Sequence, residues 1–172
     1  MGMDISGNNQ SSVKGAYYHN NIWWWRPLWN YCCDLHGDLA DKVENGHTND
    51  GDGLNAADSR ELGLRLLNDI ATGVTAQYAA DYREGLASLP MVECEYCQAT
   101  GIRTDTVGIS MGMPTKELAL EDSILFGRTH GYCNACDGFG KQSDFRTHYP
   151  FSVDNVQGFA DFLVECEGFG IY

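Results

Sequence analysis

The sequence predicts a mostly helical α+β fold, in which a small helical domain carries an inserted lobe rich in cysteine and glycine and containing short β strands. The chain has 172 residues, enough for one domain with a small lobe. Four segments repeat apolar residues at three- and four-residue steps, which is typical of helices with one buried face. Residues 91–148 interrupt this pattern with two cysteine pairs and many glycines. We therefore expect a helical core in 1–90, the lobe in 91–148, and a C-terminal helix in 149–172 that packs on the core as one compact unit.

The N-terminal segment predicts a short strand, a loop and a first helix. The strand is expected at Met3–Ile5, before a loop rich in Gly, Asn and Ser. The helix is expected to begin at Pro27, because proline suits the first helical position and pushes the residue before it out of helical dihedrals. It is expected to end near His36. The positions predicted to form its buried stripe are Leu28, Tyr31, Cys32 and Leu35.

The next two helices are predicted to form an antiparallel hairpin. Asn55 is expected to cap the first, with Asp58 at the third helical position, and Gly73 ends it. The second is expected to run over 74–89, where Pro90 closes it. The expected inner faces are Leu62, Leu66, Leu67 and Ile70 in the first, and Val74, Tyr78, Tyr82, Leu86 and Leu89 in the second.

The inserted lobe and the C-terminal segment are each expected to contain a helix. In the lobe we predict a short strand at Thr106–Ser110 and a helix at about Lys116–Phe126. Residues 108–112 match the Gly-x-Ser-x-Gly pattern of a catalytic serine, but Gly112 and the proline after it would interrupt the helix that such a serine needs. After the lobe, Ser152 is expected to cap a last helix that ends at Gly168. Its expected apolar face is Val156, Phe159, Leu163 and Cys166.

Two cysteine pairs in the lobe have the spacing of metal knuckles. Cys94 and Cys97 are followed by Gly101, and Cys133 and Cys136 are followed by Gly138 and Gly140. Two thiols separated by two residues can reach one ion, while the backbone N–H groups of the turn point at the sulfurs. Four thiolates make a closed tetrahedral site for one structural Zn²⁺, with no position for a reacting water. The lobe is therefore expected to be a zinc-knuckle lobe.

The knuckles resemble the cysteine-rich zinc-binding module of DnaJ-type chaperones, whose repeats read Cys-x-x-Cys-x-Gly-x-Gly. Residues 133–140 match the repeat in full, whereas the first knuckle has Ala99 in place of the first glycine. This resemblance implies zinc binding over residues 94–140. Only one pair of repeats is present and the chain has no J domain motif, so a chaperone activity does not follow from it.

Other readings of the seven cysteines remain open. The two pairs could instead form a redox dithiol or disulfide, or hold an iron–sulfur site. Cys32, Cys33 and Cys166 lie on or beside predicted apolar helix faces, and we interpret them as small buried side chains. His130 precedes the second knuckle by three residues and could orient or replace a ligand.

The charge of the chain narrows the class of partner. It has 11 basic and 24 acidic residues, a net charge of −13. Proteins that bind nucleic acid or anionic membranes use Lys and Arg, so neither is an expected partner. The sequence has no apolar run long enough to span a membrane and no secretory signal, and we expect a cytoplasmic protein. A protein partner with a basic surface fits this charge best.

An aromatic block supplies the candidate contact surface for such a partner: Trp23, Trp24, Trp25, Arg26 and Trp29. Three consecutive tryptophans cannot all face one way, so at least one is expected to reach solvent or a partner. The alternative is that the block packs as core, with Arg26 lying over an aromatic ring.

The whole chain also resembles a group of uncharacterised small proteins from bacteria and their phages. Three hypotheses on its function remain open. The leading hypothesis is a non-enzymatic, zinc-stabilised acidic protein-binding module, for example a phage-encoded inhibitor of a host nucleic-acid-handling or defence protein. The second is a DnaJ-like chaperone or thiol-redox protein. The third is a nucleic-acid-associated zinc protein, which would require the basic residues of the lobe to cluster on one face.

Overall fold

The computed structural model describes residues 2–172 and divides the chain into two units. Unit 1 contains the residues up to Ala87 together with His148–Tyr172, and unit 2 contains Ser88–Thr147. The α-helices are α1 (Ile22–Ala40), α2 (Ala56–Thr72), α3 (Val74–Ala87), α4 (Thr106–Ser110), α5 (Leu120–Phe126) and α6 (Val153–Glu165). The strands are β1 (Gly2–Gly7), β2 (Tyr17–Asn21), β3 (Val92–Glu93), β4 (Lys141–Gln142) and β5 (Phe169–Ile171). The predicted fold class, α+β and mostly helical, is confirmed.

A three-stranded antiparallel sheet lies in unit 1, with β1 between β2 and β5. The predicted strand at Met3–Ile5 is confirmed within β1, where Met3 and Ile5 point into the core. Neither β2 nor β5 was predicted, because Tyr17–Asn21 has no apolar alternation and Phe169–Ile171 has three residues. These strands form because β1 offers backbone hydrogen bonds on both of its edges.

The first helix begins earlier than predicted. Asn21 caps it, since its side-chain oxygen accepts hydrogen bonds from the N–H groups of the next two tryptophans, at 3.0 and 3.1 Å. Pro27 therefore lies inside α1 rather than at its start. The helix also passes the predicted end: His36 has non-helical dihedrals (φ −133°, ψ 39°), but the chain resumes the helix after this kink. Leu35, predicted to be buried, is 44% exposed.

The other helices of unit 1 begin at their sequence signals, but Val74, predicted on the inner face of the second hairpin helix, is 42% exposed. Asn55 caps α2 through hydrogen bonds from two backbone N–H groups, and Gly73 ends it in the left-handed conformation. Ser152 caps α6 as predicted, whereas α3 ends at Ala87 instead of residue 89 and α6 ends at Glu165 instead of Gly168. Helices α2 and α6 pack closely at Gly63, where an added Cβ would lie 2.9 Å from the Leu163 Cβ. The core of unit 1 contains the predicted apolar residues of α6 together with Trp25, Trp29 and the buried side chains of β1.

Unit 2 differs from its sequence prediction in the type of one element and in the start of its longer helix. Residues 106–110 were predicted as a strand but form the short helix α4, because the Asp105 carboxylate accepts a 2.7 Å hydrogen bond from the Gly108 N–H and so caps a helical turn. Ser110 therefore ends a helix instead of following a strand, and its hydroxyl donates to the Val107 carbonyl at 2.8 Å. Helix α5 begins at Leu120, later than expected. No helix among residues 2–172 has both the length and the apolar character needed to cross a membrane.

Candidate metal centre

The short ladder between β3 and β4 brings the two cysteine pairs together. The first knuckle follows β3 and the second precedes β4, and the Cys94 N–H donates to the Gly140 carbonyl at 2.9 Å. The four sulfur atoms of Cys94, Cys97, Cys133 and Cys136 all lie within 4.8 Å of one another. All four side chains are buried, the most exposed of them at 6%. The structure thus joins every predicted ligand in one buried cluster.

Two of the sulfur separations equal those of a tetrahedral metal site. Cys94 Sγ and Cys133 Sγ are 3.9 Å apart, and Cys97 Sγ and Cys136 Sγ are 3.7 Å apart. A Zn–S bond of about 2.3 Å in tetrahedral geometry gives an S···S distance of about 3.8 Å. A disulfide would require about 2.05 Å, and all seven cysteines are free thiols in the structure. The cluster can therefore hold one metal ion with four sulfur ligands.

The two knuckles repeat the same set of hydrogen bonds. In the first, the Gly101 N–H donates to Cys97 Sγ at 3.3 Å; in the second, the Gly140 N–H donates to Cys136 Sγ at 3.2 Å. In both knuckles, the carbonyl of the first cysteine also accepts a hydrogen bond from the backbone N–H five positions later. Backbone N–H groups aimed at sulfur favour the thiolate, so this arrangement supports metal binding.

Backbone dihedrals also agree between the knuckles. Left-handed φ values occur at Gln98, Ala99 and Gly101 in the first knuckle, and at Asp137, Gly138 and Gly140 in the second. Ala99 has φ 64° where the second knuckle has a glycine at 82°. The departure from the Cys-x-x-Cys-x-Gly-x-Gly pattern therefore changes the residue type without changing the local conformation, at the cost of placing an alanine in a region that favours glycine.

The glycines let each knuckle pack against the backbone of the other. A Cβ added at Gly101 would lie 2.2 Å from the Gly138 carbonyl oxygen, and one added at Gly140 would lie 2.2 Å from the Ala99 carbonyl oxygen. These contacts are reciprocal and involve backbone atoms that no side-chain rotation can move. The close approach of the knuckles thus depends on glycine at both positions.

Arg128 joins the two knuckles from outside the cysteine motif. Its Nη2 donates to the Gly101 carbonyl at 3.0 Å and to the Gly138 carbonyl at 3.2 Å, and its Nε donates to the Gly131 carbonyl. The guanidinium also lies over the Phe126 ring at 4.8 Å. From the sequence, Arg128 is only one of the basic residues of the lobe, because no local signal marks a side chain that binds carbonyls from two distant segments.

Burial opposes ionisation of the thiols in the second knuckle. It raises the pKa of Cys133 and raises the pKa of Cys136 to about 12. In the first knuckle burial also raises the pKa of Cys97, but the Gly101 N–H and the neighbouring thiols outweigh it, so the pKa of Cys97 is lowered. A divalent cation supplies the charge that four adjacent thiolates need, since a coordinating thiol loses its proton to the metal.

The remaining candidate residues lie outside the cluster. His130, three residues before the second knuckle, contacts the Thr129 hydroxyl at 2.9 Å and is not one of the clustered side chains. Cys32 and Cys166 are buried, as predicted, and Cys33 is half-buried. These three cysteines belong to unit 1 and pack as small side chains.

The tryptophan block is divided between core and surface. Trp25 and Trp29 are 0% and 1% exposed and stack on each other at 5.4 Å, and the Trp25 indole N–H donates to the Gly46 carbonyl. These two side chains belong to the core, which corrects their assignment to a partner-binding surface. Trp23 is 38% exposed, Trp24 is half-buried, and Arg26 lies 5.8 Å from the Tyr149 ring. The accessible part of the block is therefore Trp23, Trp24 and Arg26.

No protein-family model, curated protein or solved structure matches this chain. Four cysteine ligands fill a tetrahedral coordination sphere, so such a site organises the fold around the ion and leaves no position for substrate.

Proposed function

We propose that the chain is a non-enzymatic acidic protein-binding module whose cysteine-rich unit is stabilised by one structural Zn²⁺. The observation that carries the metal assignment is the buried cluster of four sulfurs, all within 4.8 Å of one another, with a backbone N–H donated to one sulfur of each pair. Tetrahedral four-sulfur sites hold zinc or iron, and zinc is the usual ion where two knuckles supply the ligands.

A thiol-redox function is disfavoured by the burial of the cluster. Thiol–disulfide exchange needs an attacking sulfur that a substrate can reach. Cys94 and Cys133 are 0% exposed, and Cys97 and Cys136 are 3% and 6% exposed. The same burial is the expected state of structural zinc ligands.

Nucleic acid is disfavoured as a partner because four of the five basic side chains of unit 2 are engaged within it. Arg103 binds the Asp105 carboxylate through two nitrogens, Lys116 lies 4.2 Å from the Tyr132 ring, and Arg146 pairs with an aspartate. Arg128 is bound to carbonyls of the knuckles. Phosphate binding needs cations that are free to face the ligand.

A basic protein surface is the partner that the charge supports. A net charge of −13 accelerates association with a positively charged target and slows association with an anionic one. A specific form of this proposal is a phage-encoded inhibitor that occupies the nucleic-acid channel of a host defence protein, since that channel is basic.

The metal is tested by elemental analysis of the purified chain. We expect about one equivalent of zinc and no visible absorption from iron–sulfur chemistry. Cys136→Ser should lower the zinc content below half an equivalent, whereas the matched variant Cys33→Ser, in unit 1, should retain it. Iron in the wild type, or full zinc in Cys136→Ser, would contradict the assignment.

The partner class is tested by affinity capture from bacterial lysate at low and high salt. We expect basic proteins that are lost at high salt, because screening weakens attraction between exposed charges. Capture that survives high salt but is lost in Trp24→Ala would instead assign binding to the accessible tryptophans. Capture of acidic proteins alone would refute the proposed partner.

A further inference from the structure

Exposed apolar side chains are concentrated in unit 2. Among residues 2–172, 17 large apolar side chains are exposed, and 10 of them lie in Ser88–Thr147. Unit 1 has the larger share of the chain but only seven. A contiguous exposed apolar surface on a protein marks a site of interaction more often than a scatter of single residues does.

Helix α5 has its apolar face turned outward. Leu120, Ile124 and Leu125 are 77%, 75% and 61% exposed. Leu120 and Ile124 share one face because they are four residues apart, and Leu125 lies beside them. On the other face, Asp122 and Ser123 are half-buried. A surface helix usually turns its apolar face to the core, so three neighbouring exposed apolar side chains mark α5 as a candidate interaction site.

The charges around this helix are acidic and lack neutralising partners. Glu117, Glu121 and Asp122 form no ion pair within the described part of the chain. The flanking cations are engaged elsewhere: Lys116 lies over Tyr132, and Arg128 binds the knuckle carbonyls. The exposed apolar residues of α5 thus lie near unpaired carboxylates in sequence, with Glu121 between them on the helix, and this combination is complementary to a surface that is both apolar and basic.

The charges of the two units argue against a second copy of the chain as that occupant. Unit 1 carries 16 acidic and 6 basic side chains, a net charge of −10, and unit 2 carries 8 and 5, a net charge of −3. Zinc bound by four thiolates makes unit 2 more negative by about two charges. Two such chains repel, and an anionic membrane is disfavoured for the same reason.

We propose that the outward face of α5, formed by Leu120, Glu121, Ile124 and Leu125 and here named the α5 surface, docks a basic amphipathic helix of a protein partner. The seven residues of α5 are about 10 Å long, which matches about two turns of a partner helix. The partner would place apolar side chains on the three exposed ones and Lys or Arg beside the carboxylates. This inference rests on the proposed function and identifies the surface through which it acts.

The test uses a fluorescent amphipathic peptide of leucine and lysine, about 14 residues or four helical turns long, titrated with the full zinc-loaded chain. Two control peptides have the same composition in scrambled order, or glutamate in place of lysine. The α5 variant is Leu120→Gln, Ile124→Gln and Leu125→Gln, because glutamine retains helix propensity. Its matched control places glutamine at three exposed apolar positions of unit 1: Leu35, Leu64 and Val74.

We expect the α5 variant to bind the basic amphipathic peptide at least tenfold more weakly, and the unit 1 variant to bind within twofold of the wild type. Glu117→Gln with Glu121→Gln should also weaken binding, whereas Glu44→Gln with Glu84→Gln should not. Zinc content and circular dichroism of every variant establish that it is folded. The scrambled and acidic peptides should bind weakly or not at all.

Several outcomes would overturn the α5 proposal. One is equal loss of binding in the two triple variants, or no loss in the α5 variant. Another is a wild-type dimer in sedimentation that the α5 variant abolishes, since the occupant would then be a second copy. If the peptide still binds the α5 variant but not Trp24→Ala, the binding module stands and its surface is the tryptophan block. If the wild type binds no basic peptide and captures no basic protein, the proposed function fails as well.

Discussion

Replacing Gly140 by alanine should separate the two knuckles and release the metal. The added Cβ would lie 2.2 Å from the Ala99 carbonyl oxygen, whereas ordinary contact begins at 3.4 Å, so the knuckles must move apart by about 1.2 Å. Metal–ligand distances tolerate about 0.2 Å. The Gly140 N–H also donates to Cys136 Sγ, and loss of such a supporting bond alone weakens metal binding by about 10–100-fold. We therefore expect Gly140→Ala to bind zinc more than about 100-fold more weakly.

The matched control for this change is Gly112→Ala. Gly112 also lies in unit 2 with a left-handed φ of 70°, but nothing lies within 4 Å of its added Cβ. Alanine at position 112 therefore raises the backbone free energy by about 1 kcal/mol but makes no steric clash. Zinc affinity is measured by competition with a chromophoric chelator for both variants and the wild type. Affinities of Gly140→Ala and Gly112→Ala within threefold of each other would refute the argument that knuckle packing holds the ligands.

Two further predictions concern acid and metal removal. Burial, with a smaller contribution from Arg26, lowers the pKa of His47 in the folded chain below 6.5. As the pH drops, the unfolded chain therefore binds a proton first, and the free energy of unfolding falls from about pH 6.5 through the folded pKa. His47→Gln should flatten this fall in urea unfolding followed by tryptophan fluorescence, and an unchanged dependence on pH would contradict the prediction. Chelation of the metal should remove the protection of backbone amides in 88–147 from hydrogen exchange. The fluorescence of the four tryptophans, which all lie in unit 1, should stay the same. Parallel loss of both signals would show that unit 1 also depends on the metal.

Elements with strong local signals were predictable from sequence. Helix α2 has a capping Asn55 and a terminal Gly73, and both act through their own backbone neighbourhood. The cysteine cluster was predictable for a similar reason, because two Cys-x-x-Cys pairs with the same spacing are typical of four thiols that bind one metal ion. The strand predicted at 106–110 failed because Asp105 caps a turn there, a local signal that the alternating apolar pattern obscured.

Features that depend on distant partners were not predictable. Helix α1 kinks at His36 and continues past its expected end. The His36 Nε2 lies 2.7 Å from the Asp69 carboxylate, and the same carboxylate accepts a hydrogen bond from the Tyr31 hydroxyl. Arg128 and the reciprocal glycine contacts of the knuckles likewise join residues far apart in sequence. A single sequence marks which residues can make such contacts but does not pair them.

The two units are stabilised by different means, and this difference connects the metal centre with the α5 surface. Unit 1 has an apolar core that includes stacked tryptophans and phenylalanines, whereas the buried cluster of unit 2 consists of its four cysteines with Ala135 packed against them. A structural zinc contributes about 10–16 kcal/mol to the folding of small domains, which replaces the burial of many apolar side chains. Unit 2 can therefore keep Leu120, Ile124 and Leu125 on its surface without losing its fold. The proposed zinc would thus leave apolar residues that a small domain normally buries available for the proposed partner.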